Sequence, residues 1–324
     1  MTQTDPRPTL VADIGGTNTR VALAMDGTIR ETTIRRFSNS HHPGLAAILR
    51  AYLEGAGSGE CAGVCVAVAG PVRDGVATMT NLDWTIDADT LTRATRARRV
   101  AILNDLQAQG HALGHIAPER LTPVVEAPTS PPNATKLVIG IGTGFNAAPV
   151  HETPGGRLVV ASECGHVNMP VRDEADLRLA RFVETVHGFP GVEEVLSGRG
   201  LERLYAFVCA EAGSPDERSA AEIAAGLAGD GPLGDRAAEA GRLFARLVGS
   251  EAGNLALVHL PFGGIYLCGG VARAFAPHLA AMGFADGFRD KGRFAGFMRN
   301  FSVSVIEDDY AALTGCAVHL AHAG

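Results

Sequence analysis

Apolar residues in this chain come in short runs that end on glycine. Thr9 to Asp13 is one such run, and it leads into Gly15-Gly16-Thr17-Asn18. Val21, Leu23 and Met25 then alternate up to an Asp26-Gly27 turn, so the pattern predicts a β-hairpin, followed by a third strand near Glu31 to Phe37. Leu45, Ile48, Leu49, Tyr52 and Leu53 recur at helical spacing and predict one face of a helix. Strands are expected at Gly63 to Ala69 and Val100 to Leu103, which makes the first third βββαβ. A second α/β set begins near Lys136. The run Lys136 to Ile141 enters Gly140-Ile-Gly-Thr-Gly144, with Ala147 to His151 as its hairpin partner. Helices are expected over Leu177 to Val186, through Leu201, Leu204, Tyr205 and Val208, and through Leu243, Phe244, Leu247 and Val248. Gly264 to Leu267 reads as a strand entering Gly269-Gly270, with a helix beginning near Val271; Ser302 to Ile306 is a last strand and Ala311 to His319 a last helix. Pro123 to Asn133 reads as a loop. A glycine-rich turn directly after an apolar strand thus recurs near residues 15, 142 and 269.

Composition narrows the picture. A length of 324 residues suits two domains rather than one core, and 46% hydrophobic with 19% charged residues is globular, not disordered. The net charge of −7 argues against a nucleic-acid binder. The two lysines, Lys136 and Lys291, follow Thr135 and Asp290, so no Gly-Lys-Ser/Thr P-loop exists. Protein-kinase, H-E-x-x-H and G-x-S-x-G signatures are absent as well. No Cys-x-x-Cys pair, no secretory h-region and no apolar run near membrane-spanning length occurs, so a reduced, cytoplasmic protein with no membrane partner is expected.

Several constellations could carry chemistry. A strand–glycine turn–strand aims successive backbone N–H groups at one point, which suits phosphate oxygens, and Asp13 beside the first turn could attend a metal ion on those phosphates. An ordinary hairpin turn is the alternative. Gly140-Ile-Gly142-Thr-Gly144-Phe145 fails the dinucleotide fingerprint because Phe145 stands at its last glycine. Asn104-Asp105 closes the run Val100 to Leu103, where an Asp could accept a hydroxyl proton during phosphoryl transfer or simply cap a helix. Glu163 and His166, three residues apart, could hydrogen-bond a polyhydroxylated ligand or form a structural turn, and Glu193-Glu194 adds a second acidic contact. His111 and His115 have metal-ligand spacing, but without further ligands they read as a solvated helix face.

Taken together, Asp13-Ile-Gly-Gly-Thr-Asn18, Ala67-Val-Ala-Gly-Pro71, Met79-Thr-Asn-Leu-Asp-Trp84, Asn104-Asp105, Gly140-Ile-Gly-Thr-Gly144, Glu163-Cys-Gly-His166, Glu193-Glu-Val-Leu-Ser-Gly198, Gly253-Asn-Leu-Ala256, Cys268-Gly-Gly-Val271 and Asp290-Lys-Gly-Arg-Phe294 occur in order along the chain. The sequence resembles the bacterial glucokinase family, within the hexokinase, Hsp70 and actin group of ATPases. The resemblance implies an α/β, two-lobed actin-like ATPase (ribonuclease H-like) fold with an interdomain cleft. Its small α/β domain would span 1–110, completed by the C-terminal helix 308–324, and its large α/β domain 111–307. It implies ATP-dependent phosphorylation of D-glucose at O6; a kinase for another hexose and a non-catalytic sugar-binding regulator are the alternatives. Asp105 matches the family's catalytic base, and Asn104, Glu163, His166 and Glu193 match sugar contacts, with Asn81 in a loop beside them. Asp13, Ile14, Gly15, Gly16, Thr17 and Asn18 match one phosphate segment, Gly142, Thr143 and Gly144 the other, and Gly269 and Gly270 the nucleoside segment. Mg²⁺ would arrive with ATP, no structural metal is implied, and a homodimer is expected. One departure falls on the second phosphate segment, where Asn146 stands at a usual glycine position; Asn is a residue that tolerates left-handed backbone.

Overall fold

The structure is a computed structural model that describes residues 7–57, 60–79, 82–229 and 231–322. The chain divides into two compact units, Met1–Ala117 with Gly155–Val159 and Asp308–Gly324, and Pro118–Pro154 with Val160–Glu307.

The first unit opens with β1 (Thr9–Ile14) and β2 (Asn18–Met25), followed by β3 (Thr28–Ile29) and β4 (Arg35–Ser38). Of the third strand expected over 31–37, only the part from Arg35 onward forms, as β4. A 3-10 turn at Glu31–Thr33 precedes it, and Thr33 Oγ1 accepts the Leu23 N–H at 3.0 Å in place of a ladder bond. Next come α1 (Leu45–Gly55), β5 (Gly63–Val68), a small sheet of β6 (Val72–Arg73), β7 (Val76–Thr78) and β8 (Thr85–Asp87), then α2 (Ala88–Thr95), β9 (Arg99–Asn104) and α3 (Asp105–Ala112). All five apolar positions that predict α1 are buried. The main sheet runs β3-β2-β1-β5-β9, with β4 also paired to β2. β1 is antiparallel to β2 but parallel to β5, which is parallel to β9. β5 is buried at every position and reads as an unbroken apolar run, as expected of a strand covered on both faces.

The second unit contains β10 (Leu121–Val125), β11 (Lys136–Ile141) and β12 (Phe145–Thr153). The loop expected from Pro123 thus begins later: its first residues are strand, and the register slips between Pro123 and Val125, where proline cannot donate to the ladder. The chain visits the first unit as β13 (Gly156–Val159) before α4 (Glu174–His187), α5 (Val192–Val195), α6 (Gly198–Glu211), α7 (Ala220–Gly226) and the long α8 (Gly231–His259). β14 (Ile265–Cys268), α9 (Gly270–Phe275), α10 (Phe284–Arg289) and β15 (Val303–Ile306) complete the second unit, and α11 (Ala311–His322) returns to the first. Here the strand order is β10-β15-β14-β11-β12, with β11 antiparallel to β12 and parallel to β14, and β14 parallel to β15. Each unit therefore repeats one plan: a hairpin whose first strand continues into two parallel neighbours.

Helix α11 packs on the first sheet beside α3. Gly315 makes this possible, because a Cβ there would lie 1.7 Å from the Ala108 carbonyl of α3. The two helices also join imidazoles, with His319 Nδ1 3.1 Å from His111 Nε2. His111 is buried and His115 lies beyond the end of α3, so the expected solvated histidine face does not exist. Burial holds the His319 imidazole below its ordinary pKa. Among the described residues no helix is long and apolar enough to cross a membrane.

Candidate active site

In the first unit the parallel registers put three strand ends in line: Ile14 of β1 pairs with Val68 of β5, and Val68 with Asn104 of β9. The glycine turn that leaves β1 and the Asn104-Asp105 pair that leaves β9 therefore emerge from the same edge. Two strand spacings separate them, about 10 Å. In open α/β sheets ligands bind at the carboxyl ends of strands, which is where both features stand.

The Gly15–Asn18 turn is closed by the Gly15 N–H donating to the Asn18 carbonyl at 3.0 Å. Gly16 and Thr17 are exposed, and their N–H groups have no partner among the described residues. Ile14, by contrast, is fully buried, so its side chain is core and only its backbone borders the turn. Asn39 braces the turn from behind. Its N–H donates to the Thr17 carbonyl (2.9 Å), its Nδ2 to the Gly15 carbonyl (2.8 Å), and its Oδ1 accepts from Thr19 Oγ1 (2.7 Å). Asn39 is 2% exposed and Thr19 fully buried, so this brace is satisfied internally and owes nothing to solvent. Sequence reading misses Asn39, because its partners lie 20 and 24 residues away. Asp13 faces Arg20 across the hairpin, Oδ2 to Nη1 3.2 Å.

At β9 the ordinary alternative for Asp105 resolves clearly. Asn104, not Asp105, caps the helix: its Oδ1 accepts the Gln107 N–H (2.7 Å), while Gln107 Oε1 accepts the Asn104 N–H (3.1 Å), a reciprocal capping box. The spacing Asn104-x-x-Gln107 carried that signal in the sequence. Gln107 also donates from Nε2 to the Val159 carbonyl at 3.2 Å, which fixes the cap to β13. Asp105 is the first helical residue, and its Oδ1 accepts the Leu106 N–H at 2.9 Å. A carboxylate is favoured there by the helix dipole. Asn104 Nδ2 has no hydrogen bond among the described residues, which leaves it for a ligand hydroxyl. Asn81 lies outside the described residues.

In the second unit Gly140 of β11 pairs with Cys268 of β14, so the 140–144 and 269–270 turns leave neighbouring parallel strands. Gly269 has φ +100° and a Cβ there would sit 2.4 Å from the Ile141 carbonyl, so this turn demands glycine and packs against the other. The Gly142 N–H donates to the Gly144 carbonyl at 2.9 Å, while the N–H groups of Thr143 and Gly144 have no partner among the described residues. The segment 193–198 clamps this turn. Glu193 Oε2 accepts the Phe145 N–H at 2.9 Å, and the Gly198 N–H donates to the Gly142 carbonyl at 2.8 Å. Gly165 closes the same assembly, since a Cβ there would lie 2.0 Å from the Phe145 carbonyl. Glu163, Gly165, His166 and Glu193 are thereby brought to the 140–144 turn. Glu163 and His166 are exposed, and the His166 N–H donates to the Glu163 carbonyl at 3.1 Å.

Asn146 has ordinary strand geometry, paired with Gly140, and does not take the left-handed backbone that a glycine position suggested. Its side chain turns to the 162–164 segment. Cys164 lies against the second core, and burial pushes its thiol above the usual range, so it is no poised nucleophile. Among the described residues no group of three His, Cys, Asp or Glu side chains could hold a metal ion.

The model of the family described as Glucokinase matches residues 10–323. The chain belongs to the glucokinase family. A glucokinase from Chromobacterium violaceum is 33% identical over 317 residues, covering 97% of this chain and 89% of that protein. One from Caulobacter vibrioides is 34% identical over 321 residues, 97% of this chain and 96% of that protein. The crystal structure of a glucokinase from an Antarctic psychrotroph superposes with a TM-score of 0.86 at 28% identity, over 98% of this chain and 99% of that one. Family membership and the actin-like ATPase fold are thus as the motifs implied.

Proposed function

We propose that this protein transfers the γ-phosphoryl group of ATP to O6 of D-glucose, with Asp105 as general base. The observation that carries this reading is the strand register that sets Asp105, one residue past the Asn104 cap, at the same sheet edge as the Gly15–Asn18 turn. In the reaction the glucose O6 hydroxyl gives its proton to the Asp105 carboxylate as O6 bonds to the γ-phosphorus. The bond from that phosphorus to the β,γ-bridging oxygen breaks, and ADP leaves with the electron pair. The N–H groups of Gly16, Thr17, Thr143 and Gly144 are the donors for phosphate oxygens, held in place before ligand arrives by Asn39 and by the 193–198 clamp. Such preorganisation supplies most of the catalysis in phosphoryl transfer, which is largely positioning and electrostatics. Asn104, Glu163, His166 and Glu193 serve as the sugar contacts. Their several acceptors and donors suit a hydroxyl-rich pyranose.

Mg²⁺ fits the donor chemistry here: the Asp13 carboxylate offers hard oxygens at the entrance of the phosphate turn, and no other protein cage is present among the described residues. Asp13 would hold the ion, which when bound neutralises phosphate charge. Each compact unit is one domain in this reading, the partners are hexose and ATP, and a cytoplasmic homodimer follows from the family resemblance. The test is coupled ADP release with Mg-ATP across a panel of hexoses. Glucose-dependent turnover that collapses in Asp105→Asn while glucose still binds supports the reading. Turnover on another hexose alone overturns the substrate, and glucose binding without turnover overturns the kinase.

A further inference from the structure

Asn146 follows the second phosphate turn by two residues, yet every side-chain hydrogen bond it makes points away from that turn. Nδ2 donates to Glu163 Oε2 at 3.0 Å and to the Ser162 carbonyl. Oδ1 accepts the Cys164 N–H at 3.2 Å and faces Ser162 Oγ at 3.0 Å. The assignment is self-consistent, since acceptors surround the nitrogen and donors surround the oxygen. One amide thus spans three consecutive residues, with Glu163 at their centre.

Glu163 needs such a partner. It is exposed, carries three rotatable bonds, and among the described residues its carboxylate has no other hydrogen bond. Asn146 engages Oε2, and among the described residues Oε1 has no hydrogen bond. A charge-assisted hydrogen bond of this kind both orients the carboxylate and keeps it in one rotamer before sugar arrives, which removes an ordering cost from binding. Asn146 itself is rigid: it belongs to β12, and its backbone is held by the ladder to β11. The ladder therefore fixes the amide, and the amide fixes the carboxylate.

We infer that Asn146 is a positioning residue for the sugar, setting hexose affinity through Glu163 and leaving the nucleotide side unaffected. This rests on the proposed function, in which Glu163 contacts the sugar. Its chemistry differs from what the position suggests, because a residue next to a glycine turn would otherwise be assigned to phosphate.

Two variants test it, each read by calorimetric glucose binding and by coupled ADP release. Asn146→Ala should weaken glucose binding and raise the glucose KM about tenfold, with the ATP KM within about twofold and kcat lowered less than the glucose KM is raised. Asn146→Asp keeps the shape but sets a second carboxylate against Glu163. The pair shares a proton more readily as pH falls, so glucose binding by this variant should tighten from pH 8 to about pH 6 by more than it does in the native protein. Cys164, His166, Glu193 and Glu251 are the other titratable groups near this segment, and they are common to both proteins. A role confined to folding would not create that pH dependence. If Asn146→Ala fails to fold, the Asp variant decides alone. A raised ATP KM with unchanged glucose KM, or glucose binding unmoved in both variants, overturns the inference. Native protein that binds glucose but releases no ADP overturns the kinase reading, and the binding comparison still judges Asn146. Native protein that binds no hexose overturns both.

Discussion

The two glycine turns proposed to hold phosphate offer the same thing by different means. Each presents two consecutive N–H groups, Gly16 and Thr17 in the first unit and Thr143 and Gly144 in the second, at the carboxyl end of a strand with one antiparallel and one parallel neighbour. The first is held by Asn39, a neutral amide buried in the fold with all its partners internal. The second is held by Glu193, a carboxylate whose side chain is 19% exposed and which also lies within reach of Arg199, Oε1 to Nη2 3.5 Å. A neutral buried brace sets a turn once, whatever is bound. A partly exposed carboxylate can answer to a ligand, and in the proposed function Glu193 touches the sugar. In that reading, sugar and phosphate geometry are joined through one side chain in the second unit and kept separate in the first.

The sharpest way to separate the two edges is Asp105→Asn, because only the first carries the proposed base. kcat should fall about 10²- to 10⁴-fold, the range general base catalysis contributes, with little change in ATP affinity; single-turnover ADP formation measures it. Next, Glu193→Gln keeps an acceptor for the Phe145 N–H but removes its charge, and should raise the KM for glucose and for ATP together, each about tenfold. A rise in one KM alone would break the claim that this brace serves both ligands. Asn39→Ala should act on one ligand only: the ATP KM rises, the glucose KM holds, and the protein loses about 1–3 kcal/mol of stability in urea melts, because the Gly15 carbonyl loses its buried donor and the Thr19 hydroxyl its acceptor. Equal changes in both KM values would erase the contrast between the braces. The smallest expected effect is Gln107→Ala, which undoes half of the capping box below Asp105. It should lower stability by about 0.5–1 kcal/mol, seen as a small fall in melting temperature, with Asn104 still capping the helix.

Much of this arrangement was legible along the chain. The apolar runs and their closing glycines located β1, β5, β11 and β14, and the run Val100 to Leu103 ending in Asn104-Asp105 located β9, since a covered strand is apolar and a turn at its end must be tight. The helical spacing of Leu45 to Leu53 located α1 for the same reason: a repeat in side-chain direction is a local property of the backbone. The site residues Asp105, Glu163, His166 and Glu193 came from motifs. Local signals failed where tertiary contacts overrode them. Thr33 replaces a ladder bond and the expected third strand forms only from Arg35, and Gly315 is glycine only because α3 passes within contact of it.

The sequence by itself determined the central strands β1, β5, β9, β11 and β14, where they end and which carboxylates stand at those ends, because periodicity and turn chemistry act over a few residues. Only the tertiary structure decided what holds each turn. Asn39 reaches Gly15 across 24 residues, Glu193 reaches Phe145 across 48, and Asn146 reaches Glu163 across 17. A hydrogen bond between side chain and distant backbone leaves no period and no spacing in the chain, so it exists for the observer only once packing has set the partners side by side.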